Sequence, residues 1–314
     1  GVDIRKITAT RLWTHGRLSL EMATRAPDLL LVPAHVIPLV HPRAVVTIHD
    51  LGYLHLPDCH PPRQRRMLDI TTRWSARAAA AIIVPSDVTR RDLLDHYGTP
   101  PEKIRVIHHG VDARFRSVAD YEQSRVRSKY ELDRPYLLAV GTIHPRKNLP
   151  ILAQAAAGLV ASGRDLDLIL VGRDGWMAER VHSRIRQRGP AGRVKTLDYV
   201  PAGDLPALYA GAACFVQPSL FEGFGMPVVE AMAAGTPVVC ARTSALPEIA
   251  GNGAAYFDPE DGEELASVLQ RILADHEYRR RLIERAQVRS RAFSWERCVS
   301  ETVDLLEETV DTKG

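Results

Sequence analysis

Short apolar runs alternate with amphipathic segments along most of the chain, the pattern of βα units built on parallel sheets. In the first half, Leu29–Val32, Ala44–Ile48, Ala80–Val84 and Ile104–Ile107 read as buried strands. Helices fit Arg63–Ala79 and Val88–Tyr97; the second opens on Ser86-Asp87, an N-cap pair, and stops before Gly98-Thr99-Pro100. Residues 112–134 hold no strand-like run and are dense in charge, which predicts an interdomain connection with a short helix. A second βα series then begins. Strand Tyr136–Val140 leads to helix Leu149–Ala161, Leu166–Val171 to Trp176–Arg188, Val194–Leu197 to Leu205–Ala210, and Cys214–Gln217 to Pro227–Ala234. Strand Pro237–Cys240 leads to a loop around Pro247-Glu248, Ala254–Phe257 ends the sheet, and two long helices, Gly262–Ala286 and Trp295–Glu308, close the chain.

The expectation is an α/β protein of two Rossmann-like domains. The second series has the six strands of a complete unit, whereas the first has four and no Gly-rich first βα turn. With an N-terminus that opens Gly1-Val2-Asp3, without Met, signal core or transit character, this imbalance predicts an incomplete N-terminal domain.

Composition narrows the class. The 314 residues are 45 % hydrophobic and 25 % charged, which excludes disorder and coiled coil. The greasiest stretch, Leu29–Val40, is broken by Pro33, His35 and Pro38, so it falls short of the ~18 residues of a spanning helix. Cys59, Cys214, Cys240 and Cys298 lie far apart without metal-ligand spacing, and a reducing, cytoplasmic setting is expected. Charge is uneven: residues 1–134 carry 21 Lys+Arg against 15 Asp+Glu, a surplus of +6, and the remainder is −3. A basic first half suits a phosphorylated lipid, a membrane surface or nucleic acid, and equally an ordinary Arg-rich solvated surface.

The chemistry concentrates in one stretch, Pro218-Ser219-Leu220-Phe221-Glu222-Gly223-Phe224-Gly225-Met226-Pro227-Val228-Val229-Glu230, continuing to Ala234-Gly235-Thr236-Pro237. It leaves a strand, crosses a Gly-containing loop and enters a helix in which Pro227 fits the first position and Gly235 the exit. The amides of Gly223, Phe224, Gly225 and Met226 then gather at the positive end of a helix, a site for a diphosphate. Glu222 and Glu230 repel phosphates but accept hydrogen bonds from vicinal hydroxyls on either side of them, a sugar and a ribose. As an isolated pair they would read only as a loop carboxylate and a solvated helix charge. After the strand Tyr136–Val140 comes Gly141-Thr142-Ile143-His144-Pro145-Arg146-Lys147-Asn148. Here Arg146 and Lys147 stand at the same sheet edge and suit a diphosphate leaving group.

These residues resemble the signature of retaining glycosyltransferase family 4, as do Val84-Pro85-Ser86, His109-Gly110-Val111-Asp112, Leu205-Pro206-Ala207-Leu208-Tyr209 and Leu246-Pro247-Glu248. The resemblance runs from about Leu29 to Val299 and implies a GT-B fold, two Rossmann-like domains facing across a cleft that holds the active site. The domains would be 1–118, 119–292 and a closing helix, 293–314, that crosses back to the first. It also implies that Glu222 contacts the donor sugar, Glu230 the ribose, Arg146 and Lys147 the diphosphate, and the backbone near Tyr199 and Val200 the base. Gly141, Thr142 and Ser219 complete the donor site, although the family often has Arg where Thr142 stands. His49, closing the buried strand Val45–Ile48 before Asp50-Leu51-Gly52, occupies the place of a family His near the transferring carbon.

The function so implied is retaining, metal-independent hexosyl transfer from a nucleoside-diphosphate sugar to a glycan or lipid-linked acceptor, without a cofactor. The Pro145-Arg146-Lys147-Asn148 variant resembles bacterial mannosyl- and rhamnosyltransferases of polysaccharide assembly and points toward GDP-mannose. The Asp165-Leu166-Asp167 run lies at the amino edge, away from this chemistry, and no metal site is expected. The helix Arg63–Ala79, with Arg63, Arg65, Arg66, Arg73 and Arg77, suits peripheral contact with an anionic membrane, and no nucleic-acid partner is expected. Rival readings are a sugar-nucleotide epimerase or hydrolase on the same fold, a glycosidase using Glu222 and Glu230, and a non-catalytic nucleotide-binding protein. A dinucleotide oxidoreductase is disfavoured because no Gly-x-Gly-x-x-Gly follows a strand.

Overall fold

The computed structural model describes residues 7–8 and 13–311 and divides into two units. Residues up to His108 join with those from Glu296 onward, and His109–Trp295 form the other. The chain therefore changes unit at 108/109, earlier than the expected 118/119, and again at 295/296. Contacts within the second unit explain the first shift. Val111 donates its amide to the Phe293 carbonyl (3.3 Å), Arg116 donates to the Ser290 and Phe293 carbonyls, and His109 packs on Phe224 and Trp295.

In the first unit the helices are α1 (Ser19–Thr24), α2 (Gly52–His55), α3 (Pro62–Ala78) and α4 (Asp87–Tyr97), and the strands β1 (Leu30–Val32), β2 (Ala44–Thr47), β3 (Ala81–Val84) and β4 (Ile104–Val106). The strands pair in parallel in the order β1-β2-β3-β4. Alternation along them builds two cores. Val46, Ile48, Ile82 and Val84 pack with Leu93 on one face. Val45, Ala81 and Ile83 pack with Ile107 and Leu305 on the other. A parallel sheet needs both faces covered, and the last helix of the chain supplies the second cover. Ser86 caps α4 as expected, accepting from the Thr89 amide (3.2 Å), and Gly98 ends it at φ +58°.

The second unit begins with α5 (Asp120–Lys129), then β5 (Tyr136–Val140), α6 (Leu149–Ala161), β6 (Asp167–Val171), α7 (Ala178–Arg188), β7 (Val194–Leu197) and α8 (Leu205–Ala210). It continues with β8 (Cys214–Gln217), α9 (Met226–Ala233), β9 (Val238–Ala241), α10 (Leu246–Ala250), β10 (Ala255–Phe257), α11 (Gly262–Ala274) and α12 (His276–Ser290); α13 (Trp295–Asp311) closes the chain. Its sheet is parallel in the order β10-β9-β8-β5-β6-β7. Counted within the unit this is 6-5-4-1-2-3, the doubly wound Rossmann order. Strand order reverses between β5 and β8, and a crevice opens there at the carboxyl ends of the strands.

Two expectations need correction. The expected loop at Pro247-Glu248 is the helix α10, a buried five-residue turn with Leu246, Ile249 and Ala250 inside. The single expected helix 262–286 is two. Asp275 leaves helical geometry (φ −100°, ψ 95°) and caps α12 by accepting from the Tyr278 amide at 2.9 Å. The side chain of an Asp competes with the helical backbone in this way, and periodicity alone does not register it.

Candidate functional site

The two loops that leave the switch-point strands carry most of the residues expected at the site. After β5 the chain turns at Gly141, then makes a tight 3₁₀ turn, Pro145–Lys147, in which the His144 ring accepts from the Arg146 amide (3.2 Å). Asn148 reverses direction at φ +50° and anchors the turn by donating to the Pro259 carbonyl (2.8 Å). After β8 the chain runs through Pro218 to Gly225 before entering α9. The Leu220 amide donates to the Arg146 carbonyl (2.9 Å), and the Arg146 guanidinium donates to the Phe221 carbonyl (2.8 Å). The two loops are thus joined by backbone and side-chain bonds at the sheet's reversal.

Glu222 sits at their centre, buried to 7 % exposure. Its Oε1 accepts from Lys147 Nζ (2.6 Å) and Gln217 Nε2 (2.8 Å), and its Oε2 from Arg146 Nη1 (3.3 Å). Burial alone would push this carboxyl up. The charges of Lys147 and Arg146, with hydrogen bonds from Lys147 and Ser219, outweigh burial and hold it below the ordinary carboxylate value. The cluster of two cations and one anion keeps a net positive charge. The expected division, cations on phosphate and Glu222 apart on sugar, is therefore drawn tighter: both cations touch Glu222.

Glu222 is also held from the backbone. Its amide donates to Ser244 Oγ (2.9 Å), and its carbonyl accepts from the Ala245 amide (3.3 Å). Gly225 precedes α9 at φ +99°, a conformation costly to any residue with a Cβ, and an added Cβ would lie 2.9 Å from Leu246 Cδ2. Helix α9 starts at Met226, one residue before Pro227. Gly223, Phe224 and Gly225 are buried and Met226 is half-buried. The Phe224 ring turns inward, edge-on to His109 (5.0 Å) and Phe293 (5.6 Å), so only its backbone is left for a ligand.

Glu230, one turn inside α9, accepts from the hydroxyl of Tyr209 (2.8 Å). Burial raises its carboxyl above the ordinary value, with the Tyr209 bond acting partly against it. Gly141 and Thr142 follow β5, Thr142 exposed; Ser219 is fully buried and its Oγ accepts from Gln217 Nε2 (2.8 Å). Tyr199 is exposed, with the Arg173 guanidinium 4.9 Å from its ring centre, and Val200 beside it is buried. His49 belongs to the other unit and is exposed. Its amide donates to His35 Nε2 (2.9 Å), its own Nε2 lies 3.2 Å from the Pro33 carbonyl, and the two rings stack at 5.9 Å. Burial lowers the His35 pKa, the Asp50 charge partly opposes this, and His49 lowers it further, which favours the neutral ring that can accept.

Sequence reasoning missed Gln217, Ser244, Tyr209 and Arg173. Gln217 left a signal, a lone amide ending an otherwise apolar strand. Tyr209 lay within the Leu-Pro-Ala-Leu-Tyr motif without a role. Ser244 and Arg173 left none. Asp165 and Asp167, as expected, stand at the amino edge, engaged with Arg134 and Arg193.

Two Rossmann-like units, one with a cationic carboxylate cluster at its switch point, define the GT-B class of glycosyltransferase. The chain belongs to glycosyltransferase family 4: residues 120–289 match the model of glycosyl transferases group 1, and residues 4–115 that of Glycosyltransferase Family 4. It is 33 % identical over 264 residues to O-antigen chain mannosyltransferase B of Escherichia coli, covering 83 % of this chain and 69 % of the relative. It is 32 % identical over 293 residues to D-inositol 3-phosphate glycosyltransferase of Salinispora tropica, covering 87 % of this chain and 60 % of the relative, under two thirds of that protein's length. Its fold matches sucrose-phosphate synthase of Thermosynechococcus elongatus at a TM-score of 0.79 and 23 % identity, over 95 % of this chain and 77 % of that one.

Proposed function

We propose that the chain transfers a hexose from a nucleoside-diphosphate sugar, GDP-mannose first among donors, to a saccharide or lipid-linked acceptor, with retention of configuration. The observation that carries this reading is the Glu222–Lys147–Arg146 cluster at the strand-order reversal, next to the amino end of α9. Lys147 and Arg146 bind the diphosphate and stabilise the negative charge that develops as the bond from the anomeric carbon to phosphate breaks. The amides of 223–226 add the positive end of the helix. Glu222 accepts from donor-sugar hydroxyls, Glu230 from the ribose, and the backbone at Tyr199 and Val200 meets the base, with the Arg173–Tyr199 pair beside it. His49 serves the transferring carbon. Donor cleavage needs neither a cofactor nor a metal, since cations of the protein supply the charge. Mannose is favoured by the Pro145-Arg146-Lys147-Asn148 variant and by the O-antigen mannosyltransferase relative.

The acceptor side draws on α3, where Arg63, Arg65, Arg66, Arg73 and Arg77 are exposed along with Met67 and Ile70. No described helix is long and apolar enough to cross a membrane. A reversible contact with an anionic cytoplasmic leaflet fits this surface, and it would weaken with salt.

The test is thermal stabilisation by GDP, UDP, ADP, TDP and NAD, each with and without Mg²⁺, followed by turnover of the matching donor sugar. A metal-independent shift with one nucleoside diphosphate, lost in Glu230→Ala, is expected. Silence toward all five would overturn the donor-site reading. Sugar release to water as the sole activity would favour a hydrolase, and binding without turnover a non-catalytic nucleotide-binding protein.

A further inference from the structure

Helix α2 begins two residues after Asp50 and ends on His55, which faces Asp92 and His96 of α4. Asp92 and His96 are four residues apart, hence on one face of the helix. One ligand atom from each of the three residues lies within 4.8 Å of the others. His55 Nε2 is 2.8 Å from Asp92 Oδ1, and the His55 and His96 rings meet edge to face at 5.9 Å. Asp92 itself is buried, at 7 % exposure, and its Oδ2 has no hydrogen-bond partner among the described residues. A buried carboxylate oxygen without a donor is costly. Both imidazoles, by contrast, are exposed and open to solvent.

We infer that His55, Asp92 and His96 form a binding site for a borderline-soft divalent transition metal of the zinc or cobalt type. The donor set decides the class. Two imidazoles and one carboxylate suit zinc-like ions, whereas Mg²⁺ and Ca²⁺ prefer all-oxygen shells. Metal bonds of roughly 2.1 Å place tetrahedral ligands about 3.4 Å apart, so the His55–Asp92 contact opens by a few tenths of an ångström while His96 closes in. The metal takes the place of the proton shared by His55 Nε2 and Asp92 Oδ1 and draws the second carboxylate oxygen, Oδ2, into its shell, so the oxygen that lacks a donor gains a partner; water fills the remaining position. It ties the end of α2 to α4 and so steadies the segment that follows His49. The site uses none of the donor-binding side chains and stands independently of the glycosyl-transfer reading.

The full chain, stripped with chelator and desalted, is titrated with Co²⁺ and read by its visible absorption. One saturable metal per chain is expected, displaced by Zn²⁺ and untouched by millimolar Mg²⁺. Asp92→Asn should weaken it. His96→Ala is the decisive variant, because His96 takes no part in the His55–Asp92 hydrogen bond and its loss leaves that bond in place. It should lower apparent affinity by at least about tenfold with circular dichroism unchanged. A Co²⁺ signal that fails to saturate, or one equally strong in His96→Ala, marks adventitious binding to other histidines and overturns the proposal. Nucleoside-diphosphate stabilisation, measured in the same variant, is expected to stay as in the wild type, so failure here is separate from failure of the donor site.

Discussion

Replacing Glu222 by Gln isolates the charge at the centre of the site while keeping its shape. The Gln carbonyl can still accept from Lys147 and Gln217, as Oε1 does now. Its amide, however, would face Arg146 Nη1 where Oε2 accepts at 3.3 Å, setting donor against donor. Two cations whose side chains are only 13 % and 20 % exposed then lose the anion that neutralises them. Breaking a buried pair from one side costs about 3 kcal/mol, and for a unit of this size that lowers the Tm by about 6–12 °C. The same change raises the net positive charge of the cluster, so a nucleoside diphosphate should rescue the variant by more degrees than it adds to the wild type. Differential scanning calorimetry with and without the nucleotide reads both effects, and the proposed contact of Glu222 with the donor sugar predicts that turnover falls as well. A Tm within 2 °C of wild type, or rescue no larger than the wild-type shift, would refute the idea that Glu222 is the counter-charge of Lys147 and Arg146.

The two glutamates should also separate by pH. Glu230 is held above the ordinary carboxylate value of about 4.3, so its ionised form costs stability at neutral pH and the cost vanishes as pH falls through its raised value. The Tm difference between Glu230→Gln and wild type should therefore close above about pH 4.3. Glu222 is held below that value, and its stabilisation is lost only as pH falls further, so the Glu222→Gln difference should close below it; both closing in one window would contradict the opposite shifts. Tyr209→Phe removes the hydroxyl that Glu230 accepts from and should cost about 1–2 kcal/mol in chemical denaturation, with weaker nucleotide binding; an unchanged midpoint would show that the bond carries nothing. Gly225→Ala meets both a φ of +99° and Leu246, and should cost more than about 1 kcal/mol and lower donor affinity, whereas a neutral effect would mean that the loop readily adjusts.

The central strands of the second unit were legible because buried parallel strands are continuous apolar runs, and β5 and β8 fall where the pattern puts them. Glu222, Arg146 and Lys147 were legible because each stands in a loop that leaves a strand, where the carboxyl edge of a parallel sheet must be, and Glu230 because it lies one turn inside the helix that follows. What the sequence could not fix was which loops meet. Arg146 and Glu222 are 76 residues apart, and only the 6-5-4-1-2-3 order sets their strands side by side. Helix ends governed by one side chain, as at Asp275, were equally invisible to periodicity. The covering of the first sheet by Leu305 depends on a chain return that no local pattern encodes, although the family resemblance implied one. The sequence by itself thus determined the elements and the chemical types at their ends, since periodicity and capping are local. Tertiary structure alone decided that Lys147, Arg146, Gln217 and Glu222 form one charged cluster, and that His55 meets Asp92 and His96, because those contacts follow from strand order and helix packing between distant parts of the chain.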